Sequence, residues 1–367
     1  MSKKNIAIYI DSLAGGGAER VMLDIAKYLT ELGHKVVFFL LEPVIDYEVA
    51  PQIKYHVLYQ TGKRSKFTNR FHIKKTAADM TRLVEHVASK EGRFDLHLSN
   101  LDSTNHVLSR CHFENTYYVI HNAISQEIKR AKKSQIFRYF KTLREKRVLN
   151  GKDLIAVSNG ITEEIKNTDF ISPKSVQTIY NPCDIEFVRA QAKVANEQIP
   201  DIPYLIHIGR VVKQKRHDVL FKALQNVPNI PLVLLCKNVK KAKKLADKYG
   251  VTERIIFAGF QTNPYNWIAN AKLMVFSSDF EGLGMVLVES LACNTPVVST
   301  NCPYGPNEIL TRELANNLVP VADADALAKR INAVLNTAST IDFNSHIEKF
   351  RLECIALQYL KLAETSN

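Results

Sequence analysis

Nothing in the 367 residues approaches the roughly 20 consecutive apolar positions that a membrane-spanning helix needs. The longest apolar stretches, Val36 to Leu41 and Pro231 to Cys236, have the length of strands. A secretory signal is missing too, because the apolar stretch behind Lys3 and Lys4, Ile6 to Ile10, ends at Asp11. The chain is therefore expected in the cytoplasm. No C-x-x-C pair occurs: Cys111, Cys183, Cys236, Cys293, Cys302 and Cys354 are scattered without histidines at metal spacing. That argues against a disulfide framework or a zinc site and for buried free thiols. Low-complexity segments and short repeats are absent as well.

What is present reads as two α/β domains, since a chain of this length exceeds one ordinary core. A hydrophobic fraction of 46% and a charged fraction of 23% exclude a disordered chain. Asn5 to Ile10, a turn from Asp11 to Gly17, an amphipathic helix with Val21, Ile25 and Leu29 on one face, and Lys35 to Leu41 form a βαβ unit. Gly33 closes its helix. Further strand patterns at Leu96 to Ser99, Thr116 to Ile120, Leu154 to Val157 and Val176 to Ile179 extend a doubly wound sheet. The expected first domain is 1–192, followed by a linker at 193–203 that contains Pro200 and Pro203. The pattern restarts at Tyr204 to Ile208 and gives a second domain over 204–344, with strands at Pro231 to Cys236, Ile255 to Ala258 and Leu273 to Ser277. A helical tail, 345–367, is expected to return towards the first domain.

The net charge of +12 is unevenly spread. Lys63 to Lys75 holds six Lys/Arg and no acid, and Gln126 to Lys152 holds ten against two acids, so these two stretches account for the whole excess. Phe67, Phe71, Phe137, Tyr139 and Phe140 stand among these charges, and Ile136, Phe140 and Leu143 share a helical face. Basic residues with interleaved aromatics suit an anionic membrane surface. They also suit nucleic acid, and a solvated basic helix explains them without a partner.

The strongest chemical signal is Ser278-Asp279-Phe280-Glu281-Gly282-Leu283-Gly284-Met285-Val286-Leu287-Val288-Glu289, running from a strand into a helix. Gly282 and Gly284 allow close backbone approach, and free amides at the helix start can hold an anion. Glu289 can accept both hydrogen bonds of a vicinal diol, and Glu281 can bind sugar hydroxyls. Helix-dipole compensation by Glu281 and a solvated Glu289 explain the spacing equally well. Arg210 and Lys215 follow Gly209 after the first strand of the second half, where ligands of doubly wound sheets bind. Gly15, Gly16 and Gly17 form a loop like a phosphate cradle, but without the G-x-G-x-x-G spacing of a dinucleotide site. His121 and Asp102, Ser103, Thr104 and Asn105 follow two strand ends. Asp323-Ala324-Asp325 has the form of a metal-binding D-x-D, yet it precedes the apolar helix Ala326 to Leu335 and is expected to cap it.

The acid pair resembles the E-x7-E motif of retaining GT-B glycosyltransferases, specifically glycosyltransferase family 4. The likeness extends over nearly the whole chain: Gly15-Gly16-Gly17-Ala18-Glu19-Arg20, Val157-Ser158-Asn159, Ile179-Tyr180-Asn181-Pro182-Cys183-Asp184, Gly209-Arg210 with Lys215, Thr295-Pro296-Val297-Val298 and Cys302-Pro303-Tyr304-Gly305-Pro306-Asn307-Glu308-Ile309. It implies a GT-B fold of two Rossmann-like domains facing a cleft, and a retaining, metal-independent hexosyl- or N-acetylhexosaminyltransferase.

The resemblance also implies roles. Arg210, Lys215, Gly16, Gly17 and the amides of Gly282, Leu283 and Gly284 would hold the donor diphosphate, Glu289 the ribose, Glu281 and His121 the sugar, and the segment of Phe260 and Gln261 the base. Asp102, Ser103, Thr104 and Asn105 would line the acceptor site. The implied partners are a nucleotide-diphosphate sugar, UDP-linked in the first instance, and a lipopolysaccharide, capsule or lipid-linked glycan. With them comes the inner face of the cytoplasmic membrane, met through Lys63 to Lys75 and Lys129 to Lys152, and no nucleic acid. A sugar-nucleotide epimerase of the same architecture and a non-catalytic nucleotide-sugar or nucleic-acid binder are the alternatives. Two residues depart from the family pattern: Asn294 where glycine is common, and the bulky Tyr304.

Overall fold

The computed structural model describes residues 2–61, 68–69, 71–134, 136–337 and 341–364. Lys63, Arg64, Lys66, Phe67 and Arg70 of the first basic stretch lie outside the described residues. The chain forms two compact units, Met1–Pro182 with Leu352–Asn367, and Cys183–Arg351.

The first unit is wound on a parallel sheet. In chain order its elements are β1 (Asn5–Ile10), α1 (Gly17–Glu31), β2 (Lys35–Leu40), β3 (Lys54–Val57), α2 (Ile73–Glu91), β4 (Leu96–Asn100), α3 (Asp102–Leu108), β5 (Thr116–Ile120), α4 (Ile124–Ser134), α5 (Ile136–Lys146), β6 (Asp153–Ala156), α6 (Asn159–Lys166) and β7 (Ser175–Thr178). Among the described residues the strand order is β3-β2-β1-β4-β5-β6-β7, so the winding reverses between β1 and β4. Ile6 to Ile10 of the central β1 are 0% exposed, as expected for a strand covered on both faces. Val21, Met22, Ile25, Ala26 and Leu29 form the buried stripe of α1.

The second unit repeats the scheme with α7 (Ile185–Ala192), β8 (Leu205–Ile208), α8 (His217–Leu224), β9 (Leu232–Leu235), α9 (Val239–Lys248), β10 (Ile255–Gly259), α10 (Tyr265–Ala269), β11 (Leu273–Phe276), α11 (Met285–Ala292), β12 (Val297–Thr300), α12 (Pro306–Ile309), β13 (Leu318–Val319), α13 (Ala324–Leu335) and α14 (Asn344–Ile347). Its sheet runs β10-β9-β8-β11-β12-β13, reversing between β8 and β11, with Leu273 paired to Leu205 and Met274 to Ile206. Asn294 has φ +61°, so it keeps the left-handed backbone that glycine would supply, a conformation asparagine tolerates.

Domain boundaries differ from the sequence reading. Helix α7 belongs to the second unit, where Arg189 Nε donates to Ala292 O at 3.3 Å. Asn263 Nδ2 donates to Gln191 O of the same helix at 2.9 Å, and the supposed linker is held there too, through Asn266 Nδ2, which donates to Val194 O at 3.1 Å. Of the tail, 345–351 stays with the second unit, and α15 (Leu352–Leu362) is part of the first, where Asn115 Nδ2 donates to Leu362 O at 2.8 Å. No described helix is long and apolar enough to cross a membrane.

Basic surface is also more widespread than the sequence reading had it. Lys237, Lys240, Lys241, Lys243, Lys244 and Lys248 are all exposed on or beside α9, whose buried face is Ala242 and Ala246.

Candidate functional site

Doubly wound sheets bind ligands outside the carboxyl ends of the strands where the winding reverses. In the second unit the loops that leave β8 and β11 meet at that point. Asp279 N donates to Gln214 O at 2.8 Å, Gln214 Nε2 to Phe280 O at 2.8 Å, and Ser277 Oγ to Lys215 O at 2.8 Å. Arg216 clamps both loops: its Nη1 lies 2.7 Å from Asp279 Oδ1 and its Nη2 2.9 Å from Asp218 Oδ2. The loop after β12 joins them through Glu281 N, which donates to Pro303 O at 3.0 Å.

This stitching brings Lys215 and Glu281 together. Lys215 Nζ lies 2.9 Å from Glu281 Oε1, with 15% and 11% of the two side chains exposed. The Lys215 ammonium also stands 4.8 Å from the centre of the Phe276 ring, a cation–π distance. The pair is close but not aligned as a hydrogen bond, so Oε1 keeps unused acceptor capacity; the buried Ser278 Oγ has no partner either among the described residues. Each unmet buried polar group costs about 1–3 kcal/mol, a cost that a ligand's hydroxyl removes on binding.

Glycines shape the space around the pair. A Cβ on Gly209 would stand 3.5 Å from the Lys215 methylenes and 3.3 Å from His207 Nε2. Gly284, at φ +88°, opens α11 without a side-chain cap, which leaves the first amides of the helix to a ligand. Gly305, at φ +99°, lies against Leu283 O, where a Cβ would come within 2.0 Å.

Behind Lys215 lie His207 and His217, ring centroids 4.8 Å apart and edge to face. His207 Nδ1 donates to Val275 O at 2.8 Å, which leaves Nε2 as a buried, unpartnered acceptor. Burial pushes His207 well below its usual range and His217 down to about 4, with Lys215 acting in the same direction, so both rings are neutral. The sequence reading gave no role to His207, His217, Ser278 or Arg216. Ser278 heads the segment of the acid pair and Arg216 closes the basic run from Arg210, whereas the two histidines carried no signal.

The other donor-side candidates are placed as follows. Arg210 is exposed at the head of the β8 loop, with no ion-pair partner among the described residues. Glu289 is half-buried on α11; burial and its carboxylate push the Cys293 thiol up to about 12. Phe260 is 72% exposed beyond the edge strand β10, and Gln261 Nε2 is turned back onto Ala258 O at 2.6 Å. Asp323 caps α13 by accepting from Ala326 N at 2.8 Å. Among the described residues no group of three His, Cys, Asp or Glu side chains is placed to hold a metal ion.

In the first unit His121 follows β5, and its Nε2 donates to Asn100 Oδ1 at 2.9 Å. Asn100 is oriented for this by donating to Tyr9 O and Leu98 O. His121 Nδ1 is therefore a buried acceptor without a partner among the described residues, and burial lowers the pKa of the ring to about 4. The supposed acceptor residues differ from expectation. Thr104, 0% exposed, donates through N and Oγ1 to Asp11 Oδ1, and Asn105 Oδ1 accepts from Ser99 Oγ, so both are internal braces. Asp102 is an ion-pair partner of the buried Lys146, at 2.7 Å, which also pairs with Glu127 at 2.5 Å. Only Ser103 of the four has neither role.

The glycine loop is likewise partly occupied: a Cβ on Gly16 would fall on the Glu19 carboxylate, while Gly17 faces open space. An anion at the start of α1 would meet Glu19. The basic stretch 126–152 folds as the α4–α5 hairpin, with Ile136, Phe137 and Phe140 exposed at 67%, 80% and 61%.

Comparisons with known proteins identify the family and the fold. Residues 15–187 match the family model described as Glycosyltransferase Family 4, and residues 188–348 match Glycosyl transferases group 1. Over 342 residues the chain is 27% identical to the N-acetylgalactosamine-N,N'-diacetylbacillosaminyl-diphospho-undecaprenol 4-alpha-N-acetylgalactosaminyltransferase of Campylobacter jejuni, covering 90% of each chain. Sucrose-phosphate synthase from Thermosynechococcus elongatus superposes with a TM-score of 0.77 at 20% identity, over 99% of this chain and 98% of that one. Anabaena HepE in complex with UDP and glucose gives 0.75 at 18% identity, over 99% and 100%. These likenesses establish the GT-B fold.

Proposed function

The chain belongs to the GT-B glycosyltransferases of the family 4 and group 1 type, and from that premise we propose that it moves a hexose or N-acetylhexosamine from a nucleoside-diphosphate sugar, a UDP-sugar in the first instance, to a lipopolysaccharide, capsule or lipid-linked oligosaccharide acceptor. The observation that carries this reading is the Lys215–Glu281 pair at the winding reversal, with unspent acceptors at Glu281 Oε1 and Ser278 Oγ.

In the reaction the bond from the sugar's anomeric carbon to the β-phosphate oxygen breaks, and a bond to an acceptor hydroxyl oxygen forms with release of its proton. Negative charge builds on the departing diphosphate, and preorganised donors stabilise it most where water is excluded. Lys215 supplies a nearly buried point charge and Arg210 a planar fork, beside the uncapped amides of α11. Glu281 accepts sugar hydroxyls, Glu289 the ribose diol, and Phe260 lies against the base. On the first unit, the Nδ1 of His121 accepts a hydroxyl.

In this reading the protein's cations neutralise the leaving group, no metal takes part, and the anomeric configuration is retained. The α4–α5 hairpin rests on an anionic membrane at the cytoplasmic face, its exposed Phe137 and Phe140 entering the headgroup layer. The Campylobacter relative, named for a diphospho-undecaprenol-linked acceptor, supports a lipid-linked substrate.

Nucleotide release from UDP-, GDP- and ADP-sugars, measured with and without lipid-linked glycan and with EDTA present, tests the proposal. Acceptor-dependent release that survives EDTA and is lost in Lys215→Met supports it. Conversion of the donor sugar without any acceptor would identify an epimerase instead.

A further inference from the structure

A cavity of about 560 Å³ opens in the first unit, within the size range of small-molecule sites, about 300–1,000 Å³. One wall is a face of α2, where Thr81, Val84, Glu85 and Ala88 recur at helical spacing. The other walls are the segments that lead into β4 and β5, Arg93 to Asp95 and His112 to Asn115. It therefore lies at the amino-terminal edge of a parallel sheet, whereas His121 stands at the carboxyl-terminal edge.

His97 forms the floor. It is 6% exposed, and its ring stacks on Phe113 at 4.7 Å and 7°, with Phe94 edge-on at 5.9 Å. His97 Nδ1 lies 2.7 Å from the hydroxyl of Tyr9, which is itself 0% exposed. Among the described residues that hydroxyl has no other partner for its proton, so it donates to Nδ1 and fixes the tautomer with hydrogen on Nε2. No group of the described protein accepts from that Nε2–H. The cavity thus holds a fixed, unpaired donor beside two aromatic rings.

The rim is polar and carries more acid than base: Glu85 is exposed, the half-buried Asp95 accepts from Asn5 N at 2.7 Å, Glu114 pairs with Arg93, and His112 is exposed beside them. Carboxylates there repel phosphate, which rules against a nucleotide. A purely apolar ligand leaves the His97 donor unmet. A pyranose satisfies all three features, because its C–H face packs on Phe113, one oxygen accepts from His97, and its outer hydroxyls donate to Glu85 and to the second oxygen of Asp95. We propose that this cavity is a second carbohydrate site for neutral or amino sugars, separate from the transfer chemistry. The proposal rests on the glycosyltransferase reading only for the source of the glycan, a segment of acceptor or product held away from the reacting end.

The test is saturation-transfer NMR with N,N'-diacetylchitobiose and with maltose on the intact chain, in wild type, Ala88→Trp, Glu85→Lys and Lys215→Met. Ala88→Trp fills the cavity; Glu85→Lys alters only its exposed rim. Expected is binding of at least one probe by wild type and Lys215→Met, weakened about tenfold or more by Ala88→Trp and Glu85→Lys. Retention of the UDP-induced rise in melting temperature shows that these two variants are folded. Equal binding by wild type and both cavity variants, or no binding of either probe at millimolar concentration, overturns the proposal. Loss of probe binding in Lys215→Met with retention in Ala88→Trp overturns it as well, placing the sugar at the donor loops. Absence of a UDP effect in wild type bears on the donor site and leaves the probe result to stand by itself.

Discussion

Lys215 and Glu281, 66 positions apart in sequence, form an ion pair 2.9 Å long that is largely removed from water. Taking one partner from such a pair strands a buried charge, a loss of about 3–5 kcal/mol, whereas replacing both with apolar groups is often neutral. Lys215→Met and Glu281→Leu are each expected to lower stability by that order in urea unfolding. The double variant Lys215→Met/Glu281→Leu recovers most of it and stays inactive. Recovered activity in the double variant would reduce the pair to a structural brace.

Gly305→Ala tests the shape of the donor loops. The added methyl meets Leu283 O, and the residue is held at φ +99°, so strain and displacement both fall on the Gly282–Gly284 segment. The variant is expected to fold with a stability loss of about 1–3 kcal/mol and to lose UDP affinity by more than that stability change explains. Calorimetric titration with UDP on the folded fraction checks it.

Acid should weaken the fold through its buried histidines. His106, His121 and His217 are lowered to about 4, mainly by burial, against an unfolded value near 6.5. Below the unfolded value the denatured chain binds protons that the folded chain refuses, so stability is complete above about pH 6.5 and declines as pH falls towards about 4. His217 makes no hydrogen bond with either ring nitrogen, so His217→Leu is expected to keep the melting temperature at pH 7 and flatten the decline below pH 6. A slope identical to wild type would contradict this assignment.

Membrane docking is assigned to the α4–α5 hairpin. Reversing Lys129, Arg130 and Lys132 removes three exposed charges worth about 1 kcal/mol each at an anionic surface, so vesicle affinity should fall by roughly a hundredfold or more. Phe137→Ser with Phe140→Ser should weaken binding at high salt as well as low. Co-sedimentation with phosphatidylglycerol and phosphatidylcholine vesicles reads both effects, and binding unchanged in both variants would remove the hairpin from that role.

The central strands were legible because burial on both faces leaves continuous apolar runs, as in Ile6 to Ile10 and Leu273 to Phe276. Both glycine loops and the helix behind Glu281 were legible from their spacing. The domain boundary was not, because α7 is recruited by Ala292 and by the amide of Asn263, and Val194 behind it by the amide of Asn266, contacts about 70 to 100 residues away that leave no periodic trace. Thr104 and Asn105 look like loop polar residues, yet Asp11 and Ser99 draw them inward. The lysines of α9 escaped notice because acids elsewhere in the chain balance them. His97 and the cavity above it were invisible for a related reason: three separated segments build the walls, and the donor direction depends on Tyr9.

The most direct measurement is the melting temperature with and without UDP for wild type, Lys215→Met and Arg210→Ala, since a ligand that binds only the folded state raises it. The account predicts a concentration-dependent rise in wild type that is nearly abolished in Lys215→Met and reduced in Arg210→Ala. A rise of the same size in all three proteins would contradict it.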